Sequence, residues 1–207
     1  MAEEPVTFRT PDGLLLEGLL QKGERGGIVI CHPHPLYGGD MYNNVVEALQ
    51  GEFSRRGFST LRFNFRGVGR SEGVHGGGEA EREDVRGAVE FLSGEGPLWL
   101  AGYSFGAGVA VQVIQGDGRI GGFICVSPPV QMYDFSPLQG FEGPKLLVAG
   151  DSDFVCPLRE LQELFSSLPE PKALQVVSGA DHFWWGREGE LGRICGEFLE
   201  AHASDAR

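Results

Sequence analysis

Gly102-Tyr103-Ser104-Phe105-Gly106 sets a serine between two glycines, at the end of the apolar run Leu98–Gly102 and ahead of a stretch of small residues. A serine hydroxyl is a weak nucleophile until a base takes its proton and a carboxylate orients that base. The chemistry such a serine could perform is acyl transfer: attack on a carbonyl, a covalent acyl-serine, and release by water. A serine that merely caps a helix has the same five-residue signature, so the base and the acid must be found elsewhere in the chain.

Five histidines are available: His32, His34, His75, His182 and His202. His202 lies in a polar tail, and His75 in the glycine-rich stretch Gly73–Gly78, which reads as mobile and solvent-facing. His182, in Ser178-Gly179-Ala180-Asp181-His182-Phe183, follows the last strand-like run and precedes the closing helix, where a base belongs. Two carboxylates compete as its partner in Gly150-Asp151-Ser152-Asp153. Asp151 leaves the strand at once and suits a turn tied through backbone N–H groups. Asp153 stands further into the loop, better placed to reach an imidazole, and is preferred. The order is then Ser, Asp, His, which is the chain order of the α/β-hydrolase arrangement and of neither other common serine triad.

These groups need a scaffold that brings three distant loops to one place. Pro11-Asp12-Gly13 separates Val6–Arg9 from Leu14–Leu20, which predicts an opening hairpin. Strands are expected at Gly27–Cys31, Ser59–Phe65, Leu98–Gly102, Gly122–Val126, Lys145–Gly150 and Ala173–Val177. Helices are expected at Asn43–Arg56, where Val45, Val46, Leu49 and Phe53 share one face, and at Glu79–Leu92, Ala107–Ile114, Leu158–Ser167 and Arg187–Ala201. Apolar strands alternating with helices imply a mostly parallel sheet covered on both faces. In such a sheet, reacting groups belong in the loops at the carboxyl ends of the strands, and Ser104, Asp153 and His182 all fall there. Residues 1–207 show no repeat and no linker, so one α/β domain is expected.

Bulk properties narrow the partners. A formal net charge of −12 argues against nucleic acid and against anionic membrane surfaces. No apolar run reaches membrane-spanning length and the opening residues are acidic, so a cytoplasmic protein is expected, as a monomer or homodimer. Cys31, Cys125, Cys156 and Cys195 form no C-x-x-C pair, and neither a zinc site nor a disulfide framework is expected. His32 and His34 alternate like a metal pair but lack a third ligand at suitable spacing, with Asp40 the only carboxylate near, so no metal is expected. His32 reads instead as a structural histidine bonded within its loop. Gly67-Val68-Gly69-Arg70-Ser71 misses a dinucleotide loop by one position, no phosphate-binding loop occurs elsewhere, and no cofactor is implied. Arg66 reads as a brace on loop carbonyls.

The chain resembles small bacterial α/β-hydrolases near the dienelactone-hydrolase-like and esterase groups. The resemblance rests on Cys31–Gly39, Asn64–Ser71, Gly102–Gly106, Gly150–Pro157 and Gly179–His182 and spans almost the whole sequence. It implies the α/β-hydrolase fold with a mostly parallel sheet, an antiparallel N-terminal hairpin and helices on both faces. It also implies Asp153 as the acid, since the family's acid ends a G-x-x-D motif. Dienelactone hydrolases proper use a cysteine where this chain has Ser104, which turns the expectation toward ordinary carboxylic esters.

A tetrahedral intermediate needs fixed N–H donors for its oxyanion. The residue after the nucleophile, Phe105, should supply one. The loop after Gly27–Cys31 should supply the other, and since Pro33 and Pro35 have no N–H, His34 is the first choice, with Leu36 or Tyr37 behind it. Tyr37, Phe105, Met132 and Trp184 are the expected pocket lining, while Phe183 and Trp185 are expected to pack the core. Only Ser127–Pro144 separates two consecutive strands where larger relatives insert a helical lid, so no cap domain and an open site are expected. The expected activity is hydrolysis of small carboxylic esters. The alternatives are a thioesterase, a lactonase or an oligopeptide hydrolase with the same triad, or a non-catalytic ligand-binding protein on the same fold.

Overall fold

Side-chain alternation along the central strands sorts the core into two layers. The computed structural model describes residues 2–203, and its strands are β1 Glu4–Arg9, β2 Leu15–Gln21, β3 Arg25–Cys31, β4 Phe58–Phe63, β5 Leu98–Tyr103, β6 Ile120–Val126, β7 Lys145–Gly150 and β8 Lys172–Val177. They form one sheet in the order β1-β2-β4-β3-β5-β6-β7-β8. β1 pairs antiparallel with β2 and β2 antiparallel with β4, while every later pairing is parallel. The predicted N-terminal hairpin and the parallel sheet are both present.

Successive residues of a strand point to opposite faces. In β3, Val29 and Cys31 join one layer and Ile28 and Ile30 the other. The first layer is closed by α2 (Glu81–Phe91), α3 (Phe105–Ala110) and α4 (Leu158–Ser167), through residues such as Val85, Ala107 and Leu161. The second is closed by α1 (Asn44–Arg55) and α5 (Glu188–His202), through Val46, Leu49, Phe53, Leu191 and Leu199. A sheet buried on both sides cannot alternate apolar with polar, which is why β5 and β7 are buried along their whole length.

Helix boundaries differ modestly from expectation. Ala107–Ile114 was expected as a helix, but α3 starts two residues earlier and ends at Ala110, with turns following. Short 3₁₀ turns at Pro35–Tyr37 and Ser136–Gly140 carry too little periodicity to show in sequence. The Ser127–Pro144 connection holds only the second of these and no helical cap. Among the described residues no helix is long and apolar enough to cross a membrane.

Arg66 braces the loops differently from expectation. Its guanidinium binds Asp84 through Nε (2.9 Å) and Nη2 (2.7 Å) and Asp12 through Nη1 (3.0 Å), so its partners are carboxylates and not backbone carbonyls. Burial is the main influence on Asp84, lifting its pKa to about 6 despite the arginine.

Candidate active site

The turn from β5 into α3 carries Ser104 at φ 53°, ψ −117°, a conformation that costs a non-glycine residue strain. Its neighbours explain the glycines around it. A Cβ on Gly102 would lie 2.5 Å from Ala107 Cα, and one on Gly106 would lie 2.3 Å from the carbonyl oxygen of Cys31. Backbone atoms cannot move aside as a flexible side chain can. Gly106→Ala is therefore expected to destabilise the fold by about 3 kcal/mol, lowering Tm by on the order of 10 °C. Gly51→Ala is the control: it sits in α1 with no atom within 4 Å of the new methyl, and should hold or raise Tm. Thermal melts of the two variants check both, and an unchanged Gly106→Ala melt would refute the tight elbow.

The three chosen side chains meet at the carboxyl ends of β5, β7 and β8. Ser104 Oγ lies 3.0 Å from His182 Nε2, and His182 Nδ1 lies 2.9 and 3.0 Å from the two carboxylate oxygens of Asp153. The N–H groups of Val155 and Cys156 donate to Asp153 Oδ1 at 2.9 and 3.0 Å. Burial works to raise the Asp153 pKa, but hydrogen bonds from His182, Ser127 and the Cys156 N–H, with the histidine charge, outweigh it and hold the carboxyl below its usual value. The carboxylate therefore stays ionised beside the imidazole, fixing Nδ1 as the protonated nitrogen and leaving Nε2 to accept from the serine.

His182 is itself held from behind. Asp181 Oδ1 accepts the N–H groups of Phe183 (2.9 Å) and Trp184 (3.1 Å), tightening the turn. The Tyr103 hydroxyl donates to the His182 carbonyl at 2.6 Å. Asp151, the rival carboxylate, points elsewhere: it accepts from the Gly179 N–H (2.7 Å) and the Ser178 hydroxyl (2.9 Å) and ties two loops together.

The loop after β3 has a defined hydrogen-bond pattern. His32 is fully buried, with Nδ1 2.6 Å from the Pro33 carbonyl and Nε2 accepting the Phe65 N–H at 3.1 Å. Those bonds specify one neutral tautomer, and burial pushes the His32 pKa down to about 4. In the next turn the Leu36 N–H donates to His34 Nδ1 and the Tyr37 N–H to the His34 carbonyl. Both alternative donors are thus consumed inside the loop. Neither the His34 nor the Phe105 N–H finds an acceptor among the described residues.

Ser104 and His182 open onto a cleft of about 640 Å³ walled by Tyr37, Phe105, Met132, Tyr133, Phe154 and Phe183, with Pro33, Pro129, His34 and Asn43 among the rest. No Asp, Glu, Lys or Arg stands among the lining residues. Of the residues named from the sequence, Tyr37, Phe105 and Met132 stand at this cleft. Trp184 does not: it is fully buried, and its indole N–H donates to Ser127 Oγ at 2.9 Å. At φ 60°, Trp184 turns its ring into the core. Phe183 and Trp185, expected in the core, are 48% and 72% exposed, and Phe183 takes the wall position assigned to Trp184. Three consecutive aromatics give no clue to which one faces inward; the turn geometry decides.

Most of the stretch Gly73–Gly78 is exposed, as its glycines suggest, but His75 is drawn inward. The fully buried carboxylate of Glu81 accepts the N–H groups of Gly76 (2.7 Å) and Gly78 (2.8 Å) and lies 2.8 Å from His75 Nδ1. The His75 ring packs 5.0 Å from that of His34 and 5.5 Å from Phe105, so it is pinned against the cleft wall and not turned to solvent. An acidic residue at the start of a helix reads as dipole complement, which hid this role for Glu81.

Comparison with known proteins agrees with this architecture. The family model described as serine aminopeptidase, S33 (Hydrolase_4) matches residues 24–141. An uncharacterized protein of Rickettsia prowazekii is 31% identical over 94% of this chain and 87% of its own length. An α-β serine hydrolase homologue from Coxiella burnetii superposes with a TM-score of 0.87 at 36% identity, covering 96% of this chain and 98% of that one. A serine hydrolase without lid from Xanthomonas campestris superposes with a TM-score of 0.89 at 25% identity, covering 100% and 98%. With its eight-stranded sheet, its lidless cleft and the matched residues 24–141, the chain belongs to the serine aminopeptidase, S33 family of α/β hydrolases.

Proposed function

We propose that the protein hydrolyses uncharged, apolar carboxylic esters through an acyl-enzyme on Ser104. The observation that carries this is the hydrogen-bonded series Ser104–His182–Asp153 opening onto a wholly uncharged cleft. His182 Nε2 takes the serine proton as Oγ attacks the ester carbonyl, and Asp153 stabilises the imidazolium that forms. The N–H groups of Phe105 and His34, both without an internal acceptor, receive the developing oxyanion. His182 then protonates the leaving alcohol, and water entering the open cleft repeats the cycle on the acyl-serine. No step calls on a cofactor.

The lining bears on substrate class. An aminopeptidase must hold the ammonium of its substrate, and a buried cation wants a carboxylate partner; this cleft presents aromatic rings and a methionine instead. Apolar acyl or aryl groups gain most from leaving water there. A volume of about 640 Å³ has room for more than an acetyl group.

The test is a panel of nitrophenyl esters of increasing acyl length alongside an aminoacyl nitroanilide. kcat/KM is expected to rise from acetate to medium chains by on the order of tenfold, each buried methylene being worth about 0.8 kcal/mol at most, with no turnover of the nitroanilide. A fluorophosphonate probe should label Ser104. Absence of both labelling and ester turnover would leave a binding protein on this fold.

A further inference from the structure

Glu81 is a fully buried carboxylate at the start of α2, and no step of the proposed reaction uses it. Its surroundings are closely built. The Gly76 N–H donates to Oε1 at 2.7 Å and the Gly78 N–H to Oε2 at 2.8 Å, while His75 Nδ1 lies 2.8 Å from Oε1. Burying a carboxylate costs free energy that its partners only partly return, and an apolar side chain in the same place would avoid that cost. Stability alone is a poor reason for such a cluster.

The ring contacts indicate another. The centroid of the His75 imidazole lies 5.0 Å from that of His34 and 5.5 Å from that of Phe105, and those two rings lie 4.9 Å from each other. The three form a closed triangle. His34 and Phe105 are the residues whose N–H groups find no acceptor within the protein and receive the oxyanion in the proposed reaction. Tyr37, the remaining ring beside His34 at 4.9 Å, belongs to the same 3₁₀ turn and cannot brace it from outside. His75 comes from a different segment, the connection between β4 and α2, and Glu81 ties that segment to the first turn of α2. Gly78 of the same connection passes so near that a Cβ on it would lie 3.7 Å from the Phe105 ring.

We propose that Glu81 and His75 are positioning residues for the oxyanion hole, the carboxylate anchoring the imidazole so that its ring holds His34 and Phe105 at the spacing their N–H groups need. The inference rests on the reading of Ser104, His182 and Asp153 as the reacting set. Oxyanion donors stabilise a transition state when they are already in place as the charge forms. Here the two donors sit on loops that follow different strands, β3 and β5, and a ring packed against both keeps one from drifting relative to the other. His75 is not among the residues lining the cleft, so it acts through the two rings it touches.

His75→Ala removes the ring from a mostly exposed stretch, so the variant should melt within a few degrees of the parent. Its kcat on a nitrophenyl ester should fall on the order of tenfold with KM nearly unchanged, the scale of a slightly misplaced donor. The discriminating readout is a trifluoromethyl ketone. Ser104 Oγ adds to its carbonyl carbon, His182 takes the serine proton, and the carbonyl oxygen becomes an oxyanion in the hole. The Ki of that ketone should rise on the order of tenfold, while the Ki of the matching methyl ketone, which binds without forming the oxyanion, should change by less than about twofold. A merely structural residue would shift the two inhibitors alike. Because Glu81 acts through His75, Glu81→Gln should lower kcat severalfold in the parent but by less than about twofold in the His75→Ala background. His75→Phe, which keeps a ring and loses the anchored nitrogen, carries the two-ketone test alone if His75→Ala does not fold. Parental kcat in the folded variant, or equal weakening of both ketones, overturns the proposal. Parent protein that turns over esters and labels at Ser104 alongside an unaffected His75→Ala sinks the brace alone. Inert parent protein sinks the underlying reading with it.

Discussion

Ser104→Ala is expected to lower kcat for ester hydrolysis by on the order of 10⁶-fold, the scale seen when a serine nucleophile is removed from a working triad. The melt should hardly move. Alanine suffers the same strain at φ 53° as serine, the backbone bonds of the elbow survive, and His182 Nε2, which loses its partner, faces an open cleft where water can replace it. Fluorophosphonate labelling should vanish with the hydroxyl. An alanine variant that hydrolyses esters at the parent rate would show that the nucleophile lies elsewhere, whatever the hydrogen bonds suggest. Turnover and melting measured on one preparation give both answers together.

The second large effect separates two aspartates that are two residues apart. Asp153→Asn is expected to cost about 10⁴-fold in kcat. The reason is the tautomer: an amide N–H₂ turned toward His182 Nδ1 favours a proton on Nε2, and that nitrogen can then no longer accept from Ser104. Asp151→Asn should leave kcat close to the parent value, because the Asp151 carboxylate, on an exposed face, bonds the Ser152 and Ser178 hydroxyls and the Gly179 N–H and not His182. Its cost should fall on the tie between the loops after β7 and β8. Steady-state kinetics of the two variants decide the matter, and a large loss in Asp151→Asn with little in Asp153→Asn would reverse the assignment.

These expectations indicate how much of the molecule can be read from sequence. The sheet was legible because buried parallel strands are short, apolar and separated by helices with a 3.6-residue period. Both signals are local, and β3 to β8 appear within a few residues of where they were expected. The juxtaposition of Ser104, Asp153 and His182 was legible for a related reason. Once the strands are known to be parallel, the loops at their carboxyl ends must share one edge, and the chemistry of serine, aspartate and histidine restricts which residues matter there.

Side-chain direction within a loop was not legible. Phe183, Trp184 and Trp185 are all large aromatics, and no periodicity runs through a turn. Which ring enters the core depends on the left-handed backbone at Trp184 and on a hydroxyl 57 residues away. Glu81 and His75 are similar, a helix-start acid and a loop histidine that become one cluster only when α2 packs beside the β3 loop.

By itself, the sequence determined the layered α/β architecture, the strained serine between obligatory glycines and the residue types able to make that serine react, since each follows from local periodicity, sterics or acid–base chemistry. Tertiary structure decided which N–H groups stay free and which aromatic rings wall the cleft, because hydrogen-bond partners and cleft walls are set by contacts between segments far apart in the chain.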